Sequence, residues 1–265
     1  MPRGTPRRAP THTSDARLIV ALDYTTLAPA LRMARQLQGL VETVKVGSVL
    51  FTACGPLAIQ RMQALGFRVM LDLKFLDIPS TVEQSCRAAT AHRVSMITVH
   101  ASGEPSMLTA AVRGVREEAK RLRVPPPLLL GVTVLTSVGQ ASPRVLQQRV
   151  LQRALAAEKA GCDGVVASAH EAPALRKRLA HRTKIICPGI RPACAAPFGS
   201  DGGAAGRPAH AANSDQQRVV TPREALARGA DALVIGRPIT AAMRPRAALQ
   251  QILDEMRGGE DHVNA

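Results

Sequence analysis

Aromatic side chains are nearly absent: 265 residues hold four Phe, one Tyr and no Trp. A surface that binds nucleic-acid bases by stacking interleaves aromatics with its cations, so no nucleic-acid partner is expected in spite of a formal charge of +15. Lysine is scarce as well. It supplies six of the 35 cations, and the remainder is Arg spread through Ala-rich stretches, which reads as a solvated surface of biased composition. No apolar run approaches the roughly 18 residues of a membrane span, and no long apolar stretch follows the N-terminal arginines as a secretory signal requires. A cytoplasmic protein without a membrane partner is the expectation. Cys54, Cys86, Cys162, Cys187 and Cys194 are odd in number and never in C-x-x-C spacing, which argues against a disulfide framework and a zinc site and predicts free thiols.

What is present is a repeated alternation. Short apolar runs at 18–22, 44–46, 69–73, 96–99, 128–135, 164–167, 184–187 and 232–235 are separated by helical patterns at 29–37, 57–65, 81–91, 106–122, 146–160, 172–179, 222–227 and 246–256. Strand alternating with helix implies parallel strands joined by helical crossovers, and eight such units suffice to close an α/β (β/α)8 TIM barrel in one domain. A doubly wound open sheet is the alternative. Residues 1–16, with Pro2, Pro6 and Pro10, read as a disordered tail, and 17–265 as the barrel. The Gly-, Ala- and Pro-rich stretch 192–216 reads as a long loop of the kind that serves as a lid or stays disordered.

In a barrel of this kind, chemistry belongs where strands end and loops begin. The polar residues at those ends are Asp23, Lys45, Asp72, Lys74, His100, Thr136, Ser137, Ser168, Arg191 and Arg237, with Gly236 before the last. The densest group is Asp72-Leu-Lys74-Phe-Leu-Asp77-Ile-Pro79-Ser-Thr81. In an extended strand Asp72 and Lys74 share one face, whereas Asp77 lies past the strand end, where Pro79 starts the next helix. Charges that close perturb one another's protonation, which marks chemistry more often than a surface ion pair does. After the eighth strand, Gly236-Arg237 occupies the position at which barrels commonly hold phosphate, and Arg237 can add a bidentate clamp.

Eight short strings stand in order at the strand ends: Ala21-Leu-Asp23, Lys45-Val-Gly47, the Asp72 to Thr81 block, Thr98-Val-His100-Ala-Ser, Gly131-Val-Thr-Val-Leu-Thr-Ser137, Asp163-Gly-Val-Val-Ala-Ser168, Pro188-Gly-Ile-Arg191-Pro192 and Ile235-Gly-Arg237-Pro238. Together they resemble the orotidine 5′-phosphate decarboxylase family, of the bacterial kind. The resemblance implies conversion of orotidine 5′-phosphate to UMP and carbon dioxide in pyrimidine biosynthesis, without metal or cofactor. Lys74 matches the lysine that protonates the C6 carbanion, and Asp72 the carboxylate beside the departing one. Asp77 and Thr81 match residues contributed across a homodimer with shared sites. Asp23 and Lys45 match groups that hold the ribose, Thr136 a pyrimidine contact, and Arg191, Gly236 and Arg237 nucleotide and phosphate contacts. Gln216 matches a lid glutamine that bridges phosphate and pyrimidine, with Gln217 as its alternative.

Three departures accompany the resemblance. The 192–216 loop is longer than the family's, the stretch after Ser137 is shorter, and Leu76 stands where His is frequent. His100, Ser102 and Ser168 read as structural or supporting residues. A magnesium-dependent sister family also carries D-x-K-x-x-D, but Asp77-Ile-Pro79 with Thr81 fits the nucleotide enzymes, and no His, Asp and Glu set has metal-ligand spacing.

Overall fold

The computed structural model describes residues 14–135, 142–192 and 220–258. Eight parallel strands close in chain order into a barrel: β1 (Asp15–Ala21), β2 (Val41–Gly47), β3 (Arg68–Phe75), β4 (Met96–His100), β5 (Leu128–Val132), β6 (Gly164–Val166), β7 (Lys184–Pro188) and β8 (Ala232–Ile235). β8 returns to β1 through the pairs Leu18–Leu233, Ile19–Val234 and Val20–Ile235. The helices are α1 (Leu27–Leu37), α2 (Ser48–Cys54), α3 (Pro56–Ala64), α4 (Pro79–Ala91), α5 (Pro105–Leu122), α6 (Pro143–Ala160), α7 (Ala172–Arg176), α8 (Pro222–Ala227), α9 (Arg237–Thr240) and α10 (Pro245–Arg257). The closed ladder excludes the open-sheet alternative. No described helix is long and apolar enough to cross a membrane.

Alternation along each strand separates two cores. Leu18, Val20, Val44, Val46, Val69, Leu71, Ile97 and Val99 point outward and join the large cluster beneath the helices. Ile19, Ala21, Met70, Met96, Leu130, Val132, Val166, Ile186, Ala232 and Val234 point inward and fill the barrel. Aliphatic side chains and Met fill that space, which is why the scarcity of aromatics costs the fold nothing. Each fully buried Val, Leu, Ile or Met stabilises by about 1.5–3 kcal/mol. Above this plug the inward positions turn polar: Asp23 just past β1, Lys45 on β2, Asp72 on β3, and Thr98 and His100 on β4.

Proline is abundant because it starts helices. Pro56, Pro79, Pro105 and Pro245 each stand at the first position of a helix, where a fixed φ is useful and an amide would be orphaned. α8 adds a capping box, with the Thr221 side chain accepting from the Glu224 amide and Glu224 accepting from the Thr221 amide.

Several boundaries differ from the sequence reading. β1 starts at Asp15, two residues inside the expected tail, because Asp15 pairs with Val41 and accepts from the Arg17 amide at 2.9 Å. The expected 128–135 strand ends at Val132, where β6, its neighbour, is only three residues long. The 172–179 helix stops at Arg176. α2 and α9 were not expected at all. α2, Ser-Val-Leu-Phe-Thr-Ala-Cys, has a strand-like composition, and α9 is a single turn too short to show a period. Among the described residues Cys54, Cys86, Cys162 and Cys187 are free, as expected, and burial pushes the last three thiols up to about 12.

α4 carries the segment that follows Lys74, and α5 packs tightly against it. Gly114 on α5 makes that approach feasible, since a Cβ there would lie 2.5 Å from the Glu83 carbonyl oxygen. Arg113 pairs with Glu83 across the same seam, and Arg87, paired with Glu83 along α4, also reaches Glu117 across it. Gly114→Ala gains helix propensity but forces the helices apart, so it is expected to destabilise by about 1–3 kcal/mol in urea unfolding. A variant as stable as the parent would show that the seam is not tight.

Candidate active site

Four charges alternate in sign across the ends of β1, β2 and β3. Lys45 Nζ lies 3.1 Å from Asp23 Oδ1 and 3.3 Å from Asp72 Oδ2, and Lys74 Nζ lies 2.8 Å from the same Asp72 oxygen. Burial is graded along the chain: the Asp72 and Lys45 side chains are 9% and 11% exposed, those of Lys74 and Asp23 31% and 51%. Burial opposes the charge on Lys45, yet the carboxylates of Asp23 and Asp72 outweigh it and hold the ammonium above its usual range. Burial likewise opposes the charge on Asp72, but Lys45, Lys74 and the Thr98 hydroxyl hold its carboxyl below the usual range. Both groups stay ionised at neutral pH. Gly47 leaves room for this packing, because a Cβ there would fall 2.8 Å from Lys45 Nζ and 3.0 Å from Asp23 Oδ1.

The Asp72–Lys74 contact is not the product of plain strand alternation. The pairing of β3 with β4 slips between Leu71 and Phe75, so that four steps on β3 oppose two on β4, and Lys74 sits at φ 52° in the left-handed region. A lysine there is strained, by about 1–3 kcal/mol for sparsely populated backbone in general. The Lys74 amide donates to Thr98 Oγ1 at 3.0 Å, and Thr98 Oγ1 donates to Asp72 Oδ1 at 2.9 Å. Thr98 is completely buried.

Across the barrel mouth the charge is positive and uncompensated among the described residues. Arg191, after β7, and Arg237, after β8, line a cavity of about 270 Å³ together with Asp23, Lys45, Asp72 and Gly236. Met70, Val166 and Val234 form its apolar floor. Neither guanidinium has an ion-pair partner among the described residues. The α9 turn offers little beside Arg237: Pro238 has no N–H, and the amides of Ile239 and Thr240 donate to the Gly236 carbonyl.

The structure therefore gathers Asp23, Lys45, Asp72, Arg191, Gly236 and Arg237 around one cavity, with Lys74 on Asp72. Asp77 and Thr81 are not brought to this cluster. Asp77 is exposed, and its Oδ1 accepts from the Ile78 amide at 2.7 Å; Thr81 is exposed on the first turn of α4. Thr136, Ser137, Gln216 and Gln217 lie outside the described residues. The ends of the 192–216 loop region are held together, since Ile190 bridges Val220 and the Arg191 amide donates to the Val220 carbonyl at 3.1 Å. His100 is half-buried at the end of β4, its pKa pushed down by burial and by Lys74 and Arg153. Sequence reasoning missed Thr98 as a site residue. The available signal was a polar residue at an inward position, two before His100, in an otherwise apolar strand. No group of three or more metal-ligating side chains occurs among the described residues.

Residues 16–252 match the model of the orotidine 5′-phosphate decarboxylase / HUMPS family. The orotidine 5′-phosphate decarboxylase of Nitrosococcus oceani is 46% identical over 247 residues, covering 91% of this chain and 97% of that protein. That of Moorella thermoacetica is 43% identical over 252 residues, covering 92% and 93%. Among solved structures, the orotidine 5′-phosphate decarboxylase of Lactobacillus acidophilus superposes with a TM-score of 0.73 at 30% identity, covering 91% of this chain and 99% of that one.

The charge chain has a pH signature. Asp72 has a folded pKa below 3.8, so its stabilisation is complete above that value and is lost as pH falls through the lower, folded value. Lys45 has a folded pKa above 10.5, so its stabilisation is complete below that value and is lost as pH rises through the folded one. Asp72→Asn is expected to lower unfolding free energy at neutral pH by about 1–3 kcal/mol. Urea unfolding of both chains across the acid range should show this difference shrinking below pH 3.8. A difference that grows with acid would mean Asp72 is not held ionised by the two lysines.

Proposed function

This chain belongs to the orotidine 5′-phosphate decarboxylase family, and we propose that it performs that decarboxylation by protonating a C6 carbanion from Lys74, with no metal or cofactor. One observation carries the reading: a single cavity is lined on one side by Asp72 and Lys45, with Lys74 on Asp72, and on the other by two guanidiniums without an ion-pair partner among the described residues. The substrate is polarised in the same way, with a phosphate at one end and a carboxylated pyrimidine at the other. Placing the phosphate between Arg191 and Arg237 directs the pyrimidine toward Asp72 and Lys74, with the ribose hydroxyls toward Asp23 and Lys45.

In this pose the substrate carboxylate meets the ionised Asp72. The C6–carboxylate bond breaks, its electron pair stays on C6, and carbon dioxide leaves. The Lys74 ammonium stabilises the charge as it develops and then gives its proton to C6, forming UMP; solvent restores the ammonium. Asp72 keeps Lys74 protonated before the reaction and is relieved of a like-charged neighbour as it proceeds. A divalent cation has no role in these steps, and the Asp72 oxygen nearest the site is already engaged by two ammoniums. Thr136 and Gln216 complete the pyrimidine contacts in this reading. The site is proposed to be shared in a cytoplasmic homodimer, with Asp77 and Thr81 reaching the partner's cavity. Their outward placement supports this, as does the exposure of Leu76 at 54% and Ile78 at 63% on either side of Asp77.

Purified protein with chelator present is expected to deplete orotidine 5′-phosphate absorbance, and Lys74→Ala to lose several orders of magnitude in turnover. Dependence on added magnesium would move the chemistry to a metal-assisted class, and a Lys74→Ala rate within tenfold of the parent would remove Lys74 from the proton transfer.

The shared site is tested separately. Subunits carrying Lys74→Ala and subunits carrying Asp77→Ala, each inactive alone, should regain activity on mixing, because each heterodimer then contains one site free of both lesions. Verified heterodimers that remain inactive would place Asp77 in its own subunit's site.

A further inference from the structure

The left-handed backbone at Lys74 requires something to hold it. Two extra residues on β3 are accommodated between the Leu71–Ile97 and Phe75–Val99 pairs, which releases the Lys74 amide from the sheet ladder. That amide finds Thr98 Oγ1, 3.0 Å away. A hydroxyl has one proton and two lone pairs, and here its roles are fixed: it accepts from Lys74, so its own proton is free for Asp72 Oδ1 at 2.9 Å. The other Asp72 oxygen takes the Lys74 ammonium at 2.8 Å. Backbone amide, hydroxyl, carboxylate and ammonium thus close a ring that starts and ends on Lys74. Thr98 is the only member from a different strand, and it is wholly buried, so no solvent competes for its hydroxyl.

We propose that Thr98 is a positioning residue for decarboxylation, its hydroxyl locking the Lys74 backbone and the Asp72 carboxylate into one geometry before substrate arrives. The inference rests on Lys74 being the proton donor. Thr98 does not line the cavity, so its effect passes through the two charged residues. Without the hydroxyl the Lys74 amide would lack a partner, the left-handed turn would lose its support, and Asp72 would be held at Oδ2 alone. The ammonium would then be misplaced relative to C6. The guanidiniums proposed to hold phosphate follow β7 and β8, on the far side of the barrel, and would be undisturbed.

Thr98→Val keeps shape and removes the hydroxyl, whereas Thr98→Ser keeps the hydroxyl. Thr98→Val is expected to lower kcat by about 100-fold, the scale of an ångström-level misplacement, with KM nearly unchanged. Thr98→Ser should restore most of that loss, a recovery that a purely packing role would not produce because Ser lacks the methyl group that Val retains. A crystal structure of Thr98→Val should show Lys74 leaving the left-handed region and the 2.8 Å contact with Asp72 lengthened. If Thr98→Val does not fold, Thr98→Cys, with a weaker donor of similar size, should give a kcat well below that of Thr98→Ser. Wild-type kcat in Thr98→Val or Thr98→Cys, or an unmoved Lys74 in the Val structure, overturns the proposal. Lack of decarboxylation by the wild type instead overturns the underlying reaction assignment, while the crystal structure still reports on the positioning.

Discussion

Four alternating charges at the mouth of an apolar barrel are the constraint around which this molecule is arranged. Removing a carboxylate or an ammonium from water costs several kcal/mol per ion even after relaxation. The chain tolerates this only because each charge in the order Asp23, Lys45, Asp72, Lys74 touches one of opposite sign, and because Thr98 occupies the remaining Asp72 oxygen. The arrangement needs three adjacent parallel strands in a fixed register. Lys45 pairs with Ala21 and Met70, one inward position below the Gly47–Asp72 pair, so its long side chain rises past Gly47 to reach Asp23 and Asp72. The barrel is thus more than a container. Its register sets which charges can meet.

The far rim has the opposite character. Arg191 and Arg237 are unpaired among the described residues, and an unpaired guanidinium beside an apolar floor offers an anion a site that bulk water only partly competes for. On the decarboxylase reading, binding energy from the phosphate is spent at the other end of the cavity, where it forces a substrate carboxylate toward Asp72. A neutralised chain on one rim and uncompensated cations on the other therefore serve different stages, one the chemistry and one the anchoring. Had a carboxylate paired with Arg237, the anchoring energy would be consumed within the protein.

Much of this was legible in the sequence, and the failures have physical reasons. The barrel followed from eight alternations of apolar run and helical pattern, a signal repeated so often that errors at single boundaries did not matter. Asp72 and Lys74 were visible as charges inside an apolar strand, where burial makes any charge conspicuous. The route by which they meet was not visible. Alternation predicted a shared face on an extended strand, but the pairing slip and the left-handed Lys74 arise from the relation of β3 to β4, which no local window contains. Thr98 was hidden for the same reason, since a Thr in a β-strand is ordinary until its partner on the neighbouring strand is known. α2 was missed because its composition favours a strand, and tertiary packing overrode propensity.

The segment after Lys74 shows how one local device serves two scales. Pro79 starts α4 and, by disfavouring helix at Ile78, leaves only Leu76, Asp77 and Ile78 between the end of β3 at Phe75 and the helix. The chain between kink and helix is therefore short and bends at Asp77, which stands exposed and has no ion pair with Lys74. Leu76 and Ile78 are exposed by the same geometry, although Leu76 approaches Gly103 and so remains tied to the loop after β4. A monomer leaves this apolar pair in water and gains nothing from Asp77 beyond a hydrogen bond to the next amide. Covering the pair with a second copy removes apolar area from water and, in the proposed dimer, supplies the carboxylate with a site, so the kink that positions Lys74, the proposed proton donor, also creates the surface on which that dimer would close.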